Sequence, residues 1–421
     1  MSKCIGCRKE KLMFSTMIPL FDENMAVSAY SIFTEKNNIF LNPAILGTGL
    51  NDGAGDIPGF EMIANMGIDS LAKEQLVFVP LTNISIFTDV NGQCKAPHDR
   101  IVLLIDRTVA PIEVYVNRLK ELKASGFKLA IRKLAVAEFQ DYAPILELMD
   151  YILLNNKKIV IEKAQIYFQK LYPNAKLVAG NIDTQENFDE LKGKGYNLYE
   201  GPFYRIPVTK GEHEVSPLKI TYLELLRLVN DPDFDLTDAA DIIGRDVALT
   251  IDLLKVVNHV VKTAEITSIR HAAAMLGQKE LKRWINTAVT ENLYADRPGE
   301  ITRLALLRAR FAENLAGMFD LNMQEEELFL MGLFSVLDII LEKPMSEALD
   351  MIQVSKPIRE ALVSDSGKLA PVYDLIRGYE TADWPEVSRL LLLQEKDDKA
   401  VSKAYMDALA WYRDTIIDKS K

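Results

Sequence analysis

Over the first 210 residues, short apolar runs alternate with stretches whose apolar positions recur every three or four residues. Phe14 to Leu20 and Ala26 to Phe33 flank the turn-forming Asp22-Glu23-Asn24, which predicts a hairpin. Gln75 to Leu81, Arg100 to Asp106, Phe127 to Ile131, Tyr151 to Leu154, Lys176 to Ala179 and Tyr196 to Tyr199 predict strands. Between Pro111 and Ser125, Ile112, Val116, Leu119 and Leu122 lie on one helix face, and Gly126 ends that helix in a left-handed cap. Phe60 to Met66, Tyr142 to Met149, Lys158 to Leu171 and Gln185 to Lys192 predict further helices, the last closed by Gly193 and Gly195. Gly47 to Gly59 is rich in Gly, Asn and Asp and predicts a loop. Strand and helix in this repeated order predict a parallel sheet wrapped by helices, compatible with a barrel of about eight units.

The pattern then changes. Residues 208–216 are polar and are expected to be a linker after a tail (1–12) and a barrel (13–207). From 217 to 421 every periodic stretch is helical. Leu223, Leu226 and Val229 mark a helix stopped at Asp231-Pro232, and Asp235 with Asp238 resembles a capping pair. Leu249, Leu253, Val256 and Val257 form the next face. Ile266 to Leu276, Leu281 to Val289, Ile301 to Met318, Glu326 to Leu341, four shorter stretches and a last one from Ala400 to Ile417 continue the run.

Apolar residues make up 48% and charged residues 26%, which excludes a disordered or fibrous chain. Lys and Arg number 49 against 60 Asp and Glu, a net charge of -11. Such a chain repels phosphate backbones on average, so no DNA or RNA partner is expected. The densest apolar stretch, Leu328 to Leu341, is broken by Ser335 and Asp338 and is too short to span a bilayer. Three cysteines make no disulfide framework and fit a reducing, cytoplasmic setting, and no signal peptide is visible.

Candidate chemistry is sparse. Cys4, Cys7, Cys94 and His98 allow a Cys3His zinc set by count alone, against the plainer reading of a tail with two unpaired thiols. The other histidines are His213, His259 and His271, with no pair at i, i+4 and only His98 followed by an aspartate. Gly47-Thr48-Gly49 and Gly53-Ala54-Gly55 open no helix and read as loop rather than phosphate cradle. Lys120, Lys123, Lys128, Arg132 and Lys133 are the densest basic cluster, read first as a solvated face.

Several stretches resemble a known two-domain arrangement. Pro19-Leu20-Phe21-Asp22 followed by Ala29-Tyr30-Ser31-Ile32-Phe33 resembles the opening of EAL domains, barrels that hydrolyse cyclic di-GMP. Leu119 to Leu122 with Leu129-Ala130, and Leu198 to Tyr204, resemble later EAL stretches. Asn230-Asp231-Pro232, Ile243 to Leu249, Leu253 to Asn258 and Ile269 to Gly277 resemble HDOD domains, all-helical relatives of the HD phosphohydrolases. The resemblance implies an EAL-HDOD signalling protein: a TIM-like α/β barrel followed by an all-α domain.

The resemblance also implies a lost metal shell. EAL catalysis places two divalent cations among Asp, Glu and Asn oxygens. Carried over position by position, those ligands fall at Ser31, Pro80, Leu104, Arg132, Lys133, Leu153, Asn155 and near Gly180, and the late glutamine falls at Glu200. Two bases in place of two acids repel cations by on the order of several kcal/mol at low dielectric. The HD doublet falls at Ser335-Val336, which holds neither imidazole nor carboxylate. The expectation is therefore a degenerate phosphodiesterase with no cofactor that works through a regulatory protein partner. The alternative is a sensor whose Arg132, Lys133 and Glu200 bind cyclic di-GMP or another anionic nucleotide uncut. Against that stand Ile18 for the opening glutamine and Thr34-Glu35-Lys36 where the family has its substrate arginine. A homodimer is compatible with either. Leu390 to Leu393 is a candidate contact patch, with a buried helix face as the plainer reading.

Overall fold

The computed structural model describes residues 14–34, 56–155, 157–159, 161–206, 217–231, 233–260, 266–293 and 299–414. Eight strands close into a barrel in sequence order: β1 (Ser15–Phe21), β2 (Val27–Thr34), β3 (Leu76–Pro80), β4 (Ile101–Asp106), β5 (Lys128–Arg132), β6 (Tyr151–Asn155), β7 (Lys176–Gly180) and β8 (Leu198–Glu200). The β1–β2 turn is set locally, because the Asp22 carboxylate accepts from the backbone N–H of Asn24 (2.8 Å) and Ala26 (2.9 Å). That hairpin makes β1 antiparallel to β2 and to β8, while β2 to β8 pair in parallel.

Alternation along the strands sends Leu20, Ala29, Phe78, Val102, Leu104, Ala130, Tyr151, Leu153, Val178 and Leu198 into one cluster inside the barrel. Helices Glu113–Ala124, Ile161–Leu171 and Gln185–Leu191 follow β4, β6 and β7, as the periodicity predicts. Gly126 stands at φ 96°, in the left-handed conformation that its place after a helix requires.

The chain falls into two compact units, one formed by residues up to Tyr204 together with those from Leu375 onward, the other by Arg205–Asp374. The helical run expected as one domain from 217 to the end is thus divided. The boundary falls inside helix Ala370–Glu380, and helices Trp384–Leu393 and Asp398–Tyr412 belong with the barrel. Local periodicity reports which face of a helix is apolar, not which core receives it.

Within the helical unit, Asp235 caps helix Leu236–Ile243 by accepting from the Thr237 N–H. The two helices expected over 266–289 are present within Ile269–Leu293, parted at Gly277, whose φ of 74° and ψ of 170° are not helical. The single helix expected over 326–341 instead breaks into Glu325–Phe334 and Leu337–Leu341 around Ser335. Gly332 lies where helix Glu325–Phe334 crosses helix Gly299–Leu315. A Cβ there would come within 2.4 Å of the Ala309 nitrogen and the Arg308 carbonyl carbon, so only glycine permits this crossing.

Candidate functional site

Parallel strands end together, so the C-terminal ends of β2 to β8 form one rim, the face on which barrels of this kind carry their sites. β1 runs the other way, and Ser15 pairs with Thr34, so its first residues join the same rim. The structure brings the positions implied by the resemblance to this mouth or just beneath it. Ser31 is fully buried on β2, Leu104 and Leu153 belong to the interior cluster, and Pro80, Arg132, Asn155, Gly180 and Glu200 end their strands. A Cβ on Gly201 would come within 2.0 Å of the Ile182 carbonyl oxygen, and the Ile182 N–H bonds to the Glu200 carbonyl at 3.1 Å. This close approach fixes the end of β8.

Arg132 is the centre of the mouth's electrostatics. Its guanidinium carbon lies 4.8 Å from the centroid of the Phe33 ring, a cation–π contact across the rim. Burial lowers its pKa, against the opposing charges of Glu200 and Asp106. Burial likewise raises the Glu200 carboxyl, with Arg132 pulling it back down. Glu200 Oε2 and Ser31 Oγ are both buried without a hydrogen-bond partner. Asp106, paired in register with Arg132, accepts from the Thr108 N–H (3.0 Å) and hydroxyl (2.6 Å). Lys133 does not accompany its neighbour: it is exposed, with φ 65°. Adjacent residues at a strand end face opposite ways, so the basic pair expected at one site is divided.

The wider basic cluster is dispersed too. Lys123 pairs with Asp150 at 3.0 Å, and Lys128 donates to the Asp99 carbonyl. Cys4 and Cys7 lie outside the described residues. Cys94 is buried with its thiol 3.4 Å from the Ala96 carbonyl oxygen, while His98 stacks on Phe127 at 4.0 Å and its Nδ1 lies 2.8 Å from the Ser125 carbonyl oxygen. Each has a local structural role. His213 and the side chain of His259 also lie outside the described residues, and His271 is exposed.

Three contacts of the rim escaped the sequence reading. The Thr16 hydroxyl donates to the Tyr405 hydroxyl at 3.2 Å, and the Ser15 N–H donates to the Tyr379 hydroxyl at 3.2 Å. Phe14 stacks on Trp384 with centroids 5.7 Å apart. No local pattern could reveal partners more than 360 residues away.

In the helical unit, Ser335 and Val336 are buried where the resemblance places the metal-binding doublet. The group that reaches them is Arg308, whose Nη1 donates to Ser335 Oγ at 3.0 Å. Burial lifts the nearby Asp338 carboxyl to about 6, opposed by the Ile339 N–H and by Arg308. The sequence signal for Arg308 was present but ambiguous, since an arginine on a long helix reads as solvent-facing. A separate cavity of about 280 Å³ is lined by Arg283, Asn286, Glu313 and Phe329. Arg283 there pairs with Glu313 at 3.1 Å.

The family model described as HDOD domain matches residues 216–356. The cyclic di-GMP phosphodiesterase CdgJ of Vibrio cholerae is 25% identical over 324 residues, covering 76% of this chain and 74% of its own length. YuxH of Bacillus subtilis, an uncharacterised protein, is 25% identical over 410 residues, covering 95% and 98%. Among solved structures, a standalone EAL protein of Vibrio cholerae in its c-di-GMP-bound form is 14% identical, covers 46% of this chain and 90% of that one, and superposes with a TM-score of 0.35. Residues 216–356 are an HDOD domain, and with a closed eight-stranded barrel ahead of them the chain has the arrangement of an EAL-HDOD protein.

Proposed function

We propose that this is a non-catalytic, cytoplasmic signalling protein of the cyclic di-GMP-related EAL/HDOD type, acting through contacts with a regulatory protein. The observation that carries the reading is the half-buried Arg132 guanidinium at the barrel mouth, over Phe33 and within the field of Glu200 and Asp106. Two divalent cations need several convergent oxygen ligands. Here Ser31, Leu104 and Leu153 stand at three ligand positions, and a fixed positive charge stands at a fourth. This set does not fit the metals. CdgJ is named a phosphodiesterase, so its activity is the direct alternative.

A second reading rests on the two buried polar atoms without partners, Ser31 Oγ and Glu200 Oε2, which suit a mouth that binds a nucleotide without cutting it. One pair of measurements separates these readings. Purified full-length chain is incubated with cyclic di-GMP and Mg2+ or Mn2+, and product is followed by chromatography. No turnover is the expected result, and turnover abolished by chelation would overturn the proposal. Melting temperature is then followed against cyclic di-GMP up to hundreds of micromolar. A flat response favours the contact-only reading, and a concentration-dependent rise favours the sensor.

A further inference from the structure

We propose that the helices from Leu375 onward form a lid on the β1–β2 rim of the barrel mouth, latched by the contact between the Tyr405 and Thr16 hydroxyls, and that unlatching opens the mouth. The inference is independent of whether the mouth binds a nucleotide.

The position of the latch follows from register. Thr16 has the same strand parity as Leu20, whose side chain lies in the interior cluster, so Thr16 also faces inward. It pairs with Phe33, the ring over which Arg132 sits. Two residues below Phe33 on the same face is Ser31, with its buried, unpartnered hydroxyl. Tyr405 therefore meets the barrel at the β1–β2 side of the mouth, on the inward-facing Thr16. Tyr379 holds the adjoining Ser15 N–H and packs on Tyr405 with centroids 4.8 Å apart, and Trp384 covers Phe14.

The contacts that join this segment to the rim include hydroxyls and aromatic rings, with Tyr405 on Thr16, Tyr379 on the Ser15 N–H and edge-on to Phe14, and Trp384 stacked on Phe14. Ser402, one helical turn before Tyr405 on the same face, is buried with its Oγ unpartnered, so closure leaves a desolvation cost unrecovered. The barrel's eight-stranded ladder closes without any residue of this segment, so the lid can leave with the ladder intact.

The test is thiol accessibility in the full-length chain carrying Cys4→Ser and Cys7→Ser, with Ser31→Cys as the reporter and Val102→Cys, deep in the barrel, as the control. Labelling by excess 5,5′-dithiobis(2-nitrobenzoate) is followed at 412 nm, roughly the absorption of the released thiolate. Tyr405→Ala and Trp384→Ala are each expected to speed labelling at Ser31→Cys by about tenfold or more, with Tyr405→Phe between them and the parent and with Val102→Cys unchanged. Equal rates at Ser31→Cys with and without the Tyr405 side chain would overturn the proposal. A parallel rise at both thiols would overturn it too, because the barrel would then open as a whole rather than at a lid.

Discussion

Arg132 shows what one substitution does to a barrel mouth. Its charge offsets that of Glu200, a carboxyl that burial alone pushes toward the neutral form. Arg132→Ala should destabilise the chain by up to about 3 kcal/mol at neutral pH, since the half-buried Glu200 carboxylate loses the positive charge that offsets it. The loss should shrink as pH falls and Glu200 takes up its proton, and Arg132→Met with Glu200→Gln should recover most of it. Urea midpoints at pH 5 and pH 7.5 check both statements. Asp338 titrates with the same sign. Its carboxyl is raised from 3.8 to about 6, so the folded protein carries a cost above pH 6 that fades between pH 6 and pH 4. Asp338→Asn should therefore stabilise at pH 7 by up to about 3 kcal/mol and by almost nothing near pH 4, read from paired melts across that range. The sequence put Arg132 at the mouth through the resemblance, but it also paired Arg132 with Lys133. Only the end of β5 separates them. Arg308 went unnoticed because charge alone does not say which side of a helix is buried.

At the scale of elements, the strands and the helices outside the barrel were legible because their signals are local. Short apolar runs gave β3 to β7 within a residue or two, Gly126 gave a helix end, and Asp235 gave a helix start. Boundaries failed where tertiary packing decides them. Helix Glu325–Phe334 stops at Ser335 although Val336 to Leu341 remains apolar, and Ser335 holds both the Gly332 carbonyl (2.6 Å) and Arg308. Leu390 to Leu393 divides, with Leu391 fully buried and Leu392 and Leu393 51% and 66% exposed, so one helix face is packed and the next is not. The crossing at Gly332 gives the firmest prediction at this scale. Gly332→Ala must push two helix backbones apart and should cost roughly 1–3 kcal/mol, the usual range for overpacking, whereas Gly299→Ala, with no atom within 4 Å, should change the urea midpoint little.

At the scale of the whole molecule, the order of elements and the order of packing differ. The barrel unit draws on residues up to Tyr204 and again from Leu375, with the helical unit inserted between them. Removing the residues after Asp374 should lower the melting temperature of the barrel transition by several degrees, because Phe14, Ser15 and Thr16 lose Trp384, Tyr379 and Tyr405. Calorimetry of the shortened and full chains checks this. If the segment were a mere extension of the helical unit, the barrel transition would stay where it is.

That return path has a consequence for biosynthesis. A ribosome that has finished β8 must add about 200 more residues before Tyr405 emerges, on the order of 10–40 s at ordinary elongation rates. Throughout that interval a nascent barrel carries uncovered aromatic side chains beside its opening. Chaperone demand should therefore peak after the first unit has been synthesised and before the last helix arrives.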